Sequence, residues 1–279
     1  MKFDFFTFGG SVFWEDVFFY QKWRIQRHCL TKKYRLLDSW DIRRESGSFE
    51  ACQKAFIKYI DSYEITKQQG KMVILLHGYM DSKNIFKQLW RKLILTNSTV
   101  AALNYPSLFR SSLAVAHQIL FFLNHVEDIT EVSFVTKGCG NLVLQRLFNL
   151  PPETQIFLTK IRIGNIVEIN PVVKESLLCL FLEKYKIFRF LLGPMIKDFT
   201  YNELKNLPSL PKQLNVLRIF YESKISSFLR RILIHLHFLI DDTSAVSANT
   251  VSIKGKNRNV LKNEQVLNYT VKFIKNGKI

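Results

Sequence analysis

Val132-Ser133-Phe134-Val135-Thr136-Lys137-Gly138-Cys139-Gly140-Asn141-Leu142-Val143-Leu144 is the stretch on which the reading of this chain turns. Val132 to Thr136 has the length and apolar character of a buried strand. Leu144, Leu147 and Phe148 recur beyond it at helical spacing. Between the two, Lys137-Gly138-Cys139-Gly140 has to reverse the chain sharply, which glycine permits. A strand, a tight turn and an amphipathic helix in direct succession place that turn at the carboxyl end of a strand. In an open α/β sheet, that end lines a site.

The same alternation extends in both directions. Gly70 and Lys71 introduce the apolar run Met72-Val73-Ile74-Leu75-Leu76, which suits a parallel strand covered on both faces. His77-Gly78-Tyr79-Met80-Asp81-Ser82 follows as a turn, and Ile85, Phe86, Leu89, Trp90 and Leu93 mark a helix with one apolar face. Thr99 to Leu103 reads as a second strand ending in Asn104-Tyr105-Pro106-Ser107, and Val115, Ile119, Phe122, Leu123 and Val126 stripe a second helix. Ile163 to Ile169 and Leu214 to Tyr221 read as further strands. A last helix after Asn263 carries Val266, Leu267, Thr270, Val271 and Ile274 on one side. The expected fold is therefore α/β: a doubly wound, mostly parallel sheet with helices on both faces. Residues 70–279 form the main domain, and residues 1–69 are expected as a lead-in packed on it, with a helix over Glu50 to Tyr63.

Composition narrows the function. The chain has 279 residues and 47% hydrophobic residues, enough for one sizeable core. The longest apolar candidate, Phe228 to Ile240, is interrupted by Arg230, Arg231, His235 and His237, so no membrane span is expected. The aromatic N-terminus lacks the pattern of a signal peptide. Cys29, Cys52, Cys139 and Cys179 form no C-x-x-C pair, which fits a reducing cytoplasm and excludes a zinc ribbon. Lys and Arg total 40 against 23 Asp and Glu, a net charge of +17. The final segment is the most basic, with Lys254, Lys256, Arg258, Lys262, Lys272, Lys275 and Lys278 against Glu264 alone. No RNA-binding signature or zinc-finger spacing accompanies it, so nucleic acid is not the expected partner. It reads as a solvated face, or as a patch holding the protein at the periphery of an anionic membrane.

The strand and His77-Gly78, Asn104-Tyr105-Pro106-Ser107, the stretch Val132 to Leu144, Leu192-Gly193-Pro194, Asp242 and the closing Phe273 to Gly277 together resemble the esterase/lipase-like branch of the α/β-hydrolase superfamily. The resemblance covers about residues 70–279. It implies an α/β-hydrolase fold, no cofactor, and His77, Gly78 and Tyr79 as the oxyanion loop. Relatives read F-V-T-H-S-x-G-G through the elbow. Carried across without a gap, the histidine before the nucleophile falls on Lys137, and the nucleophilic serine on Gly138. The residue after it falls on Cys139, and the two glycines on Gly140 and Asn141. The acid falls on Asp242, with Asp241 adjacent. The histidine loop before the last helix is Asn257 to Asn263, shortened and without a histidine.

Acyl transfer on this fold needs a nucleophile, an imidazole and an orienting carboxylate. Glycine supplies no side chain to attack with, and Asp242 without a histidine is a relic acid. Backbone N–H groups at the turn can still bind an anion, so binding can outlast catalysis. The expectation is a catalytically degenerate hydrolase retained to bind a ligand, lipid or partner through His77, Gly78, Tyr79, Cys139 and Gly140. The competing expectation is an active ester hydrolase with Cys139 as nucleophile and His77 or His235 as base. His235 and His237 lack a third metal ligand, so no metal is expected.

Overall fold

The computed structural model describes residues 13–68, 70–172, 192–223, 249–255 and 259–279. Its first four strands form an antiparallel meander in spatial order: β1 (Trp14–Tyr20), β2 (Trp23–His28), β3 (Tyr34–Leu37) and β4 (Arg43–Gly47). Gln21 and Lys22, both with positive φ (48° and 71°), make the two-residue turn that joins the first pair. Helix α1 (Phe49–Ser62) follows. The Ser48 side chain caps it by accepting from Ala51 N–H, and Phe56 sits among the rings of Phe18, Tyr20 and Trp23.

The sequence shows no strand period here because every residue of β1 is buried, the charged ones included. Glu15 is neutralised by Arg27 and Arg110. Asp16 accepts from Gln26 Nε2 at 2.8 Å and from Asn104 N–H at 2.7 Å, with Arg24 at 3.4 Å. Charge buried with its partners removes the polar-outward alternation by which half-buried strands are recognised.

The main sheet is wholly parallel. It is built from β5 (Gly70–Leu76), β6 (Thr99–Leu103), β7 (Ile129–Lys137), β8 (Arg162–Ile169), β9 (Val216–Ser223) and β10 (Thr250–Gly255), in the order β10-β9-β8-β7-β5-β6. The interleaved helices are α2 (Lys87–Leu93), α3 (Ser112–Asn124), α4 (Gly140–Phe148), α5 (Pro194–Lys197), α6 (Tyr201–Asn206) and α7 (Glu264–Asn276). On one face Met72, Ile74, Leu76 and Phe134 pack with Val115, Ile119 and Leu144 of α3 and α4. On the other, Val73, Leu75, Val135 and Val167 pack with Leu89, Leu93, Val266 and Phe273 of α2 and α7. The doubly wound α/β architecture is thus present.

Some boundaries differ from the sequence reading. Strand β9 starts at Val216 rather than Leu214, whose N–H is used in a turn, donating to the Pro211 carbonyl at 3.1 Å. Strand β10 gave no sequence signal, since Ile253 is its one buried apolar residue. Among the described residues no helix is long and apolar enough to cross a membrane.

From β5 the chain winds outward to β6, then crosses back to β7 on the other side of β5. That reversal lies between β5 and β7. The loops after these two strands meet outside the carboxyl ends, where open α/β sheets bind ligands.

Candidate functional site

The two glycines of the elbow do different work. Gly138, at the apex, has φ +53°, in the left-handed region, and its N–H donates to the Ile169 carbonyl at 3.0 Å. A Cβ built there would meet Gly78 Cα at 3.8 Å, an ordinary contact, so a Cβ fits at the apex and only the left-handed backbone opposes it. Gly140 has no such space. A Cβ would lie 2.6 Å from the Leu76 carbonyl oxygen and 3.1 Å from that of His77. The start of α4 is therefore pressed against the end of β5, bringing the elbow and the turn His77–Ser82 together.

His77 is completely buried. Its Nδ1 lies 2.8 Å from the Gly78 carbonyl, its Nε2 accepts from Tyr105 N–H at 3.4 Å, and its ring stacks on Tyr105 at 3.9 Å. Those partners place the proton on Nδ1. Desolvation lowers its pKa to about 4, with the hydrogen bond to Gly78 opposing. At neutral pH the ring is uncharged and both nitrogens are occupied, a structural role rather than that of a free base.

Lys137 bonds Asp81 Oδ2 at 2.6 Å, and Asp81 N–H donates to the Gly78 carbonyl at 3.3 Å. Met80 N–H donates to Ser107 Oγ at 3.0 Å, and the Tyr79 hydroxyl donates to the Leu192 carbonyl. Gly193, φ +87°, runs so close to the Leu108 carbonyl that a Cβ would collide with it. This approach lays α5 across the elbow.

Cys139 lies beneath α5. It is 2% exposed, and its thiol donates to Met195 Sδ at 3.3 Å. Burial pushes the thiol pKa well above its ordinary value; Asp81 adds to this and Lys137 opposes it. The nucleophilic thiolate is therefore disfavoured at neutral pH.

His77, Gly78, Tyr79, Gly138, Cys139 and Gly140 thus come together. Asp242, Asp241, His235 and His237 lie outside the described residues. No group of three or more potential metal ligands occurs among the described residues. Sequence reasoning missed three contributors: Asp81 as partner of Lys137, Tyr105 as the ring that stacks on His77, and Met195 as the cover over Cys139. Asp81 and Tyr105 stand in turns already conspicuous in the sequence. Met195 carries no signal beyond its place after Leu192-Gly193-Pro194.

Comparison with solved structures then bears on the fold. A metagenomic carboxyl esterase superposes with a TM-score of 0.50 at 11% identity, over 70% of this chain and 67% of that one. The chain has the α/β-hydrolase fold of esterases and lipases. Tomato methylketone synthase I, solved with 2-tridecanone, matches at 11% identity and TM-score 0.47 over 75% of this chain and 99% of that one. The monoacylglycerol lipase of Paleococcus ferrophilus matches at 13% identity and TM-score 0.45, over 76% and 98%. No protein-family model matches the sequence, and neither does any curated protein.

Proposed function

We propose that this protein is a hydrolase-fold binding protein without hydrolytic chemistry, which keeps the elbow and the His77–Ser82 turn as a seat for an acyl or lipid-like small molecule. The observation that supports this reading is Gly138: the residue that the resemblance aligns with the nucleophile sits at the apex of the elbow, with φ +53° and room for a Cβ, and has no side chain. The ligand's carbonyl or carboxylate oxygen would take the Tyr79 and Cys139 amides that flank the Gly138 apex, as the oxyanion would in an active relative. An active ester hydrolase using Cys139 and His77 has less support. The thiol is packed on Met195, and both His77 nitrogens are engaged.

The test has a chemical arm and a binding arm. The folded protein should leave short- and long-chain acyl esters intact and stay unlabelled by a fluorophosphonate probe. Ester turnover that disappears in Cys139→Ala would overturn the proposal. Laurate should shift the backbone amide resonances of Tyr79 and Cys139, and Gly138→Leu, which sets a bulky side chain beside those amides, should abolish that shift. Resonances that ignore laurate and shorter carboxylates alike would remove the binding half of the proposal.

A further inference from the structure

The hairpin between β1 and β2 turns on residues that its backbone disfavours. A two-residue turn with positive φ at both positions is normally made by Asn-Gly or a similar pair, because a Cβ in the left-handed region crowds the following carbonyl. Here Gln21 and Lys22 take both positions, at φ 48° and 71°. The hairpin itself makes no use of their side chains: among the described residues neither is hydrogen-bonded or ion-paired. Backbone strain of this kind persists where the surroundings use what it positions.

Both residues line a cleft of about 270 Å³ between the meander and the edge of the main sheet. Its other wall is formed by α2 and by the segment that opens β6. Trp90 Nε1 donates to the Val100 carbonyl at 3.2 Å, which fixes the indole, and Lys22 Nζ lies over its ring at 5.3 Å. The ammonium is therefore held in place by a π face, which leaves its charge without a counter-anion. No acidic residue lines the cleft. Asn97, at φ 57°, and Thr99 add an amide and a hydroxyl, and among the described residues neither side chain is hydrogen-bonded. Both stand at the amino end of β6, so the cleft lies at the end of the sheet opposite the elbow.

We propose that this cleft binds an anionic sugar, a ring with several hydroxyls and one carboxylate or phosphate. Lys22 pairs with the anionic group. Gln21 and Asn97 each donate and accept, and with the Thr99 hydroxyl they match neighbouring ring hydroxyls. The indole of Trp90 and the side chain of Ile94 supply apolar surface for the C–H face of the ring. A wholly apolar ligand would strip water from Gln21, Asn97 and Lys22 and return no hydrogen bond. A bare inorganic anion would engage Lys22 and leave the amides and the indole unused. This proposal stands independently of what the elbow binds.

The indole N–H resonance of Trp90 in the full chain, assigned by its loss in Trp90→Phe, reports on the cleft. Glucuronate, galacturonate and glucose 6-phosphate are titrated at constant ionic strength beside glucose and inorganic phosphate. An anionic sugar should shift the resonance saturably and bind roughly tenfold more tightly than glucose or phosphate, as a charge-assisted hydrogen bond added to neutral ones would give. Whether the uronates or the sugar phosphate bind more tightly separates the two sources of the charge. Lys22→Gln should weaken that binding roughly tenfold by removing the charge alone. Lys22→Gly removes the side chain and also relaxes the left-handed turn, so it should weaken binding while raising the urea midpoint. A resonance that none of the anionic sugars moves, or affinity matched by glucose or by phosphate, would overturn the proposal. So would parent-like affinity in either Lys22 variant.

Discussion

At the scale of single residues, burial decides what Cys139 and His77 can do. A thiol needs exposure or nearby positive charge to become a thiolate, and Cys139 instead packs on Met195 in the core. Cys139→Ala should leave ester turnover at whatever level the parent shows and cost about 1–2 kcal/mol in urea unfolding, through lost packing alone. His77 gives the corresponding pH dependence. Its folded pKa of about 4 lies below the ordinary 6.5, so between those values the unfolded chain takes up a proton that the folded chain refuses. Stability from this group is complete above the ordinary value and falls as pH drops through the window. Between neutral pH and about pH 5 the parent should lose on the order of 2 kcal/mol that His77→Gln does not, read from urea midpoints at the two pH values. Equal losses in both proteins would show that His77 is not the source.

At the scale of elements, close approach separates two glycines that look alike in sequence. Gly138→Ala meets only Gly78 Cα, so its cost is the left-handed backbone, about 1 kcal/mol. Gly140→Ala drives a methyl group into the Leu76 carbonyl, which belongs to a strand that cannot yield, and should cost at least about 2–3 kcal/mol. Equilibrium unfolding of the two variants side by side checks the order, and a larger loss at Gly138 would contradict the packing of α4 on β5. Helix α7 shows the opposite case, an element whose start the sequence announces. Asn263 caps it by accepting from Gln265 and Val266 N–H. Its buried face, Val266, Leu267, Thr270, Phe273 and Ile274, follows helical spacing.

At the scale of the whole molecule, the two sheets are joined through Asp16. Its carboxylate holds Gln26, Arg24 and the Asn104 N–H, its own N–H donates to the Asn104 carbonyl at 3.0 Å, and Gln118 Nε2 bonds both main-chain carbonyls. Asn104 follows directly on β6, so the network joins the edge of the main sheet to the meander. Asp16→Ala leaves Arg24 buried without that partner and should cost about 3–5 kcal/mol. Unfolding followed by far-ultraviolet and tryptophan signals should become non-coincident, because three of the four tryptophans lie in the meander. Coincident transitions with a small loss would mean that the sheets are held together elsewhere.

The sequence by itself determined where the five strands β5 to β9 fall along the chain, the helix faces between them and the glycine at the apex of the elbow. These are local matters: apolar runs, helical spacing and turn residues act over a few neighbours, and their traces survive in one dimension. It did not reveal the meander, because Glu15 and Asp16 are buried with partners brought from β2 and from the region after β6. It did not reveal β10, an edge strand with little apolar surface to bury. At the site, the sequence named His77, Gly78, Tyr79, Gly138, Cys139 and Gly140. Only the tertiary structure decided their states: the neutral ring wedged on Tyr105, the thiol under Met195, and Lys137 tied to Asp81. Desolvation and pairing between distant segments set those states, and both exist only once the chain has closed on itself.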